Sequence, residues 1–392
     1  MMYGGIEAGG TKMNCAVADQ EGKIIASQRI ATREPAETLA EIFRFFDRYE
    51  LAAMGIGSFG PIGLDPKQAN YGHVLATPKA GWQNFDFLGT LKQRYPIPMV
   101  WTTDVNAAAY GELKKGAAQD CDTCIYLTVG TGIGAGVIVN NQLFQGKSHP
   151  EMGHIRIKRH PEDSYVGTCP YHQDCFEGLA AGPSIEARTG QKGETLLENH
   201  PVWELQAYYI AQALVNYTLS FVPDKIILGG GVMNQTHLLS KIREQFLLEL
   251  GGYISIPSVE EYIVPWQLVN ESGIKGCLQL AIDWQKRINQ LKCSKKEPND
   301  REGYCIEALI ASGQYTLRSF DFFVVWNEVS AILLNAGQFP HGKGQRANQT
   351  LISLKALKFH RSFLVLQQKK LIGPKPGHLL VVDSNEKHQS IR

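Results

Sequence analysis

The chain has no run of apolar residues approaching the roughly 18–20 that a membrane-spanning helix needs. Its first residues, Met1-Met2-Tyr3-Gly4-Gly5, carry neither the basic start nor the apolar stretch of a secretion signal. Both absences point to a cytoplasmic protein with no membrane partner. Net charge is missing too. The 39 Lys and Arg against 38 Asp and Glu leave +1 over 392 residues, so the overall balance offers nothing to nucleic acid or an anionic surface. A composition of 44% hydrophobic and 20% charged residues excludes a disordered chain, and the length excludes one small module. The charge is unevenly spread: residues 293–392 hold fourteen basic against eight acidic side chains, and residues 1–292 hold 25 against 30. In a reducing cytosol the eight cysteines (15, 121, 124, 169, 175, 277, 293, 305) are thiols, and clusters among them read as metal ligands before disulfides.

Residues 2–9, 13–19 and 23–30 read as a three-strand meander, with glycine turns between them. Pro35 opens a helix whose Leu39, Ile42, Phe43 and Phe46 fall at helical spacing, and a strand over 51–58 follows. A strand over 98–103 ends in Asp104 and leads into an Ala-rich helix over 106–115. Then the pattern restarts, with strands over 123–130, 133–140 and 142–145. At an offset of 121, Gly9-Gly10-Thr11 lies over Gly130-Thr131-Gly132, and Cys15-Ala16-Val17-Ala18-Asp19 over Gly136-Val137-Ile138-Val139-Asn140. A duplicated unit of this kind implies two similar α/β domains, 1–117 and 118–292, facing each other across a cleft. Helices over 204–222 and 238–250 and a strand over 225–228 fit the second domain, and a last helix over 276–288 is placed to pack back on the first. Residues 293–392 show no sustained period and read as a basic appendage.

Glu7-Ala8-Gly9-Gly10-Thr11-Lys12 sets an acid at a strand end before a glycine turn with a hydroxyl and an ammonium. Such a turn brings backbone N–H groups and the Thr11 hydroxyl to phosphate oxygens, while Glu7 is suited to hold Mg²⁺ through water. A plain hairpin turn is the alternative, but a second glycine turn over 127–136 makes an opposed pair, a clamp for a polyphosphate. Neither is a Walker A loop. Gly130-Thr131-Gly132 is not a dinucleotide fingerprint either, because Ala135 takes the third glycine's place and a strand follows. His154 with Cys169-x₂-His172-x₂-Cys175 supplies two imidazoles and two thiolates, a closed tetrahedral set that fits structural Zn²⁺. Cys121 and Cys124 form a rival pair, but Cys124 enters a buried-looking strand and both read as core.

Glu7 to Lys12, Thr103-Asp104-Val105-Asn106, residues 127–136, Glu151-Met152-Gly153-His154 and Leu228-Gly229-Gly230-Gly231 resemble, in order and spacing, the ROK family of sugar kinases. The resemblance covers residues 2 to about 290 and within the family is greatest to the bacterial fructokinases. It implies the two-domain actin-like ATPase (ribonuclease H-like) fold with an interdomain active-site cleft. It further implies transfer of phosphate from MgATP to the 6-hydroxyl of D-fructose, with Asp104 as general base, in a homodimer. Ser58, Gly60, Thr103, Asn106, Glu151, His154 and Glu177 would bind the sugar. Gly9, Gly10, Thr11, Lys12, Thr131, Gly132, Pro183, Gly229, Gly230 and Gly231 would bind ATP. Zinc sites of the family commonly use one His and three Cys; here His172 replaces a Cys, and the metal would staple the loop over 162–177. Thr103 stands where many glucokinases of the family carry Asn, which weighs against glucose. Mannose, glucose or N-acetylmannosamine kinases are alternatives on this scaffold. A sugar-sensing ROK repressor is an alternative from another class, but it carries a helix-turn-helix before the kinase-like part, and here the first phosphate motif begins at Glu7.

Overall fold

The computed structural model describes residues 1–293; from residue 294 on, the expected basic appendage lies outside the described residues. The chain opens with the meander β1 (Met2–Ala8), β2 (Lys12–Ala18) and β3 (Ile24–Ala31). Helix α1 (Pro35–Phe46) has proline in its first turn, where no intrahelical N–H is lost, and buries Leu39, Ile42, Phe45 and Phe46. Strand β4 (Leu51–Ser58) follows, then the small hairpin β5 (His73–Val74) and β6 (Phe85–Asp86), helix α2 (Phe87–Arg94) and β7 (Met99–Thr103). The sheet order is β3-β2-β1-β4-β7, with β4 and β7 parallel to β1. Its central strands are buried almost throughout, whereas β3 alternates exposed and half-buried positions, as an edge strand does. Helix α3 (Asp104–Lys115) leaves this sheet.

The second half repeats the plan with β8 (Cys124–Val129), β9 (Ile133–Val139) and β10 (Gln142–Leu143). Helices α4 (Phe176–Ala180), α5 (Gly182–Thr189) and α6 (Val202–Phe221) come next, then β11 (Lys225–Gly229), α7 (His237–Leu250), α8 (Val259–Tyr262) and β12 (Ile263–Pro265). Helix α9 (Ser272–Cys293) ends the described part. The order β10-β9-β8-β11-β12 copies the first sheet, directions included. The offset of 121 holds to the residue: β2 spans 12–18 and β9 spans 133–139.

Helices α3 and α9 cross where the halves join, and they cross on glycine. A Cβ on Gly276 would stand 1.7 Å from the Ala107 carbonyl oxygen, and one on Gly111 2.2 Å from that of Ser272. Buried beside the crossing, the Glu112 carboxylate accepts from Ala117 N (2.8 Å), Gln267 N (3.2 Å), Leu268 N (3.0 Å) and the Ser272 hydroxyl (2.6 Å). It therefore ties together both stretches of chain that pass between the sheets, and four donors offset the cost of burying its charge. Most expected boundaries shift by a residue or two, β10 stops at Leu143 rather than 145, and α9 runs on to Cys293 rather than 288; two helix starts differ for a reason the fold supplies. Helix α3 starts at Asp104 rather than 106, because the Thr103 side chain accepts from Asn106 N (3.1 Å) as its N-cap. Helix α9 starts at Ser272 rather than 276, because Gly273 and Gly276, unfavourable in an isolated helix, serve close approach.

Candidate active site

Ligands of parallel α/β sheets gather outside the C-terminal strand ends. Here Ala8, Ser58 and Thr103 end β1, β4 and β7 side by side. The first glycine turn, the loop after Ser58 and Asp104 thus issue from one edge. Gly9 N donates to Lys12 O (2.9 Å), and nothing approaches within 4 Å of the place a Cβ on Gly10 would take. Thr32 pins this turn from β3's end: its hydroxyl donates to Gly9 O (2.7 Å) and its N–H to Thr11 O (3.0 Å). In the second half Gly130 N donates to Gly132 O (2.9 Å), and the Gly130 carbonyl accepts from Gly182 N (2.7 Å), the residue before Pro183. Gly230, at φ +93°, leaves no room for a Cβ, which would meet Val129 O at 2.5 Å, and Gly231 is open. The second glycine turn, the start of α5 and the 229–231 turn therefore converge.

The carboxylates show what the cleft does to charge. Asp104 is half-buried at the start of α3, accepting from Val105 N (2.9 Å). Burial pushes its pKa up to about 7, and the Glu7 charge adds to the rise against the pull of the Val105 N–H and His149. Burial also raises Glu7, despite a hydrogen bond from Asn14 (2.7 Å). Asn106 is buried, donates to the Thr102 hydroxyl (3.1 Å) and keeps an Oδ1 with no protein partner. Ser58 is fully buried and its hydroxyl turns to the Phe59 carbonyl (3.0 Å). The Val105 side chain stands 3.0 Å from where a Cβ on Gly134 would be, so the start of α3 presses on β9.

His154, Cys169, His172 and Cys175 bring one ligand atom each to within 4.8 Å of one another. Cys169 Sγ lies 3.7 Å from Nδ1 of both His154 and His172, and Cys175 Sγ lies 3.5 Å from His154 Nδ1. A tetrahedron with Zn–S near 2.3 Å and Zn–N near 2.0 Å has edges of about 3.3–3.8 Å, so the donor set and its spacing fit zinc. Burial, with Cys169 beside it, pushes the Cys175 thiol up to about 11, and a bound dication would displace that proton. Cys121 and Cys124 stand apart in the core. With Nδ1 facing the thiols, His154 turns Nε2 toward Glu177 Oε1 (4.0 Å). Glu177 Oε2 in turn accepts from Ile133 N (2.9 Å), so this carboxylate links the metal cluster to the second glycine turn.

Several residues at the site escaped sequence reasoning. Thr32 is one. Asp163 and Arg188 form a buried pair (2.7 Å) joined by the Tyr209 hydroxyl (2.6 Å), which anchors the metal loop to α5. His149 is another: its Nε2 lies 2.8 Å from Glu151 Oε1 and 3.8 Å from the place of a Gly60 Cβ in the opposite half. For Glu151, burial works upward, but the hydrogen bond and charge of His149 outweigh it and hold the carboxyl below its ordinary range. The signal in the sequence was only a histidine two places before a motif residue.

Comparison with known proteins gives this arrangement its class. The chain belongs to the ROK family, whose profile matches residues 3–284. It is 51% identical over 281 residues to a fructokinase of Pediococcus pentosaceus, covering 72% of this chain and 98% of that one. To a fructokinase of Streptococcus mutans serotype c it is 46% identical over 286 residues, covering 71% and 97%. Among solved structures, a ROK family glucokinase from Streptomyces griseus in complex with glucose and AMPPNP matches with a TM-score of 0.58 and 27% identity, covering 72% of this chain and all of that one. The two copied sheets are accordingly the halves of an actin-like ATPase fold.

Proposed function

We propose that the chain is an ATP-dependent fructokinase that transfers the γ-phosphoryl group of MgATP to the 6-hydroxyl of D-fructose, giving fructose 6-phosphate. The observation that carries this reading is Asp104, a carboxyl at a strand end whose pKa burial pushes up to about 7. A base of that strength accepts the hydroxyl proton near neutral pH as the oxygen attacks phosphorus, and positioning and charge supply the rest of catalysis. Identities of 46–51% to fructokinases support the choice of sugar.

In this reading Ser58, Gly60, Thr103, Asn106, Glu151, His154 and Glu177 hold sugar hydroxyls, and the unpaired Asn106 Oδ1 is a ready acceptor for one. Gly9, Gly10, Thr11, Lys12, Thr131 and Gly132 face the phosphates, and Pro183 with Gly229, Gly230 and Gly231 faces the adenosine. Glu7, a carboxylate beside the first glycine turn and within electrostatic reach of Asp104, would hold the Mg²⁺ of MgATP through water, and the ion would neutralise phosphate charge while Asp104 stays free as the base. A structural Zn²⁺ on His154, Cys169, His172 and Cys175 would fix the His154 ring. We further propose lobes dividing near 117/118, a homodimer and a cytoplasmic location; no helix among the described residues is long and apolar enough to cross a membrane. The test is a coupled ADP-release assay of the full chain with fructose, mannose, glucose and N-acetylmannosamine. Fructose should give the highest kcat/KM; another sugar ahead of it by more than about tenfold, or 1.4 kcal/mol, would replace it.

A further inference from the structure

The His149–Glu151 pair asks more of the sugar site than the motif residues alone. The backbone beyond Glu151 is already clamped: the Tyr217 hydroxyl donates to Met152 O (2.6 Å), and a Cβ on Gly153 would stand 1.9 Å from Ile133 O. The Glu151 side chain is not clamped that way. It is 57% exposed, whereas the His149 side chain paired with it is only 7% exposed. The imidazole uses both nitrogens, Nε2 on Glu151 Oε1 and Nδ1 toward the Ser148 hydroxyl at 3.4 Å. Its outer edge, Nε2 and Cε1, stands 3.8–3.9 Å from where a Gly60 Cβ would be. One buried ring thus bonds a carboxylate of its own half and stands beside the Gly60 position of a loop in the other, within the electrostatic reach of Asp104.

We propose that His149 is a positioning residue of the hexose site. Its Nε2–H holds one Glu151 oxygen, leaving the other directed at a sugar hydroxyl, and its ring walls the pocket against Gly60. Hexose affinity, not ATP affinity, depends on it. The inference rests on the kinase reading above and adds a determinant to it.

The experiment is steady-state kinetics of full-length wild type, His149→Ala, His149→Leu and His149→Gln, varying fructose and ATP separately. Losing a hydrogen bond to a charged group should raise the fructose KM about 10- to 100-fold in the Ala and Leu variants, with ATP KM within about twofold and kcat within about threefold. Gln keeps an N–H donor at similar reach and should recover most of that loss. Should the Ala variant fail to fold, the Leu and Gln pair reads the same contrast, since both fill the space and only Gln donates. In a Glu151→Ala background, His149→Leu and His149→Gln should no longer differ in fructose KM, because both fill the space and no carboxylate is left to hold. An unchanged fructose KM, an equal rise in ATP KM, or Gln no better than Leu overturns the proposal. A wild type that prefers another hexose overturns the fructose reading instead, and His149 is then judged on that hexose's KM. No kinase activity at all overturns both.

Discussion

The two halves of this molecule share a strand order, strand directions and a hairpin turn set 121 residues apart, yet they carry different chemistry. In the first half β1 presents Glu7 just before its turn; the position 121 residues later in β8 is Thr128. The first half continues from its last strand directly into Asp104, whereas the second inserts residues 144–175, with the His/Cys cluster, between β10 and α4. The common turns suit phosphate from two sides. What the halves do not share, an acid on one side and a stapled loop on the other, is where base and sugar selection would reside. In the fructokinase reading the repeated turns would form the clamp, and the departures from the repeat would carry the reaction.

Removing the proposed staple should separate the halves most. Cys169→Ser should lose about one bound zinc per chain by metal analysis and lower Tm by on the order of 10 °C, the equivalent of roughly 3–5 kcal/mol. Fructose KM should rise with it, because His154 and Glu177 are linked to the cluster. A fully active, equally stable zinc-free variant would show that the insertion is ornament.

A second contrast separates acid from scaffold by pH. With Asp104 at about 7, kcat/KM for fructose should fall about tenfold per unit below that value. Stability moves the other way. The folded carboxyl titrates above its ordinary 3.8, so ionising it costs folded stability progressively between about pH 4 and 7. Asp104→Asn should therefore melt higher than wild type at pH 8 and alike near pH 3–4.

The smallest contrast compares glycines of the two halves. Gly230→Ala meets both a φ of +93° and the Val129 carbonyl, and should cost roughly 1–3 kcal/mol of stability. Gly10→Ala meets nothing within 4 Å and should change stability by less than about 0.5 kcal/mol. Any rise in ATP KM from Gly10→Ala then reports a ligand at that turn.

Much of this was legible in the sequence, where structure is written locally. The 121-residue offset, the glycine turns and the Cys-x₂-His-x₂-Cys spacing are patterns of identity and distance along the chain. What escaped is written across it. Strands β5 and β6 span two residues each and are held by remote backbone bonds such as Gly63 N to His73 O (2.9 Å), so no periodicity marks them. Gly273 and Gly276 disguised the start of α9, since Gly276 serves the crossing with α3 and Gly273 the close approach of the Glu7 side chain, and only the fold creates either contact. Glu112 and Thr32 bond segments that nothing in the sequence joins to them, and His149 is marked only by standing two places before Glu151.

The central claim is that Asp104 is the base of a fructose-phosphorylating cleft. Its most direct test is fructose-dependent ADP release by Asp104→Asn beside wild type, with ATP binding and zinc content measured on the same samples. With Asp104 as the base, turnover should be lower by about 10³-fold or more with ATP and zinc retained; an Asn variant within tenfold of wild type would contradict that role.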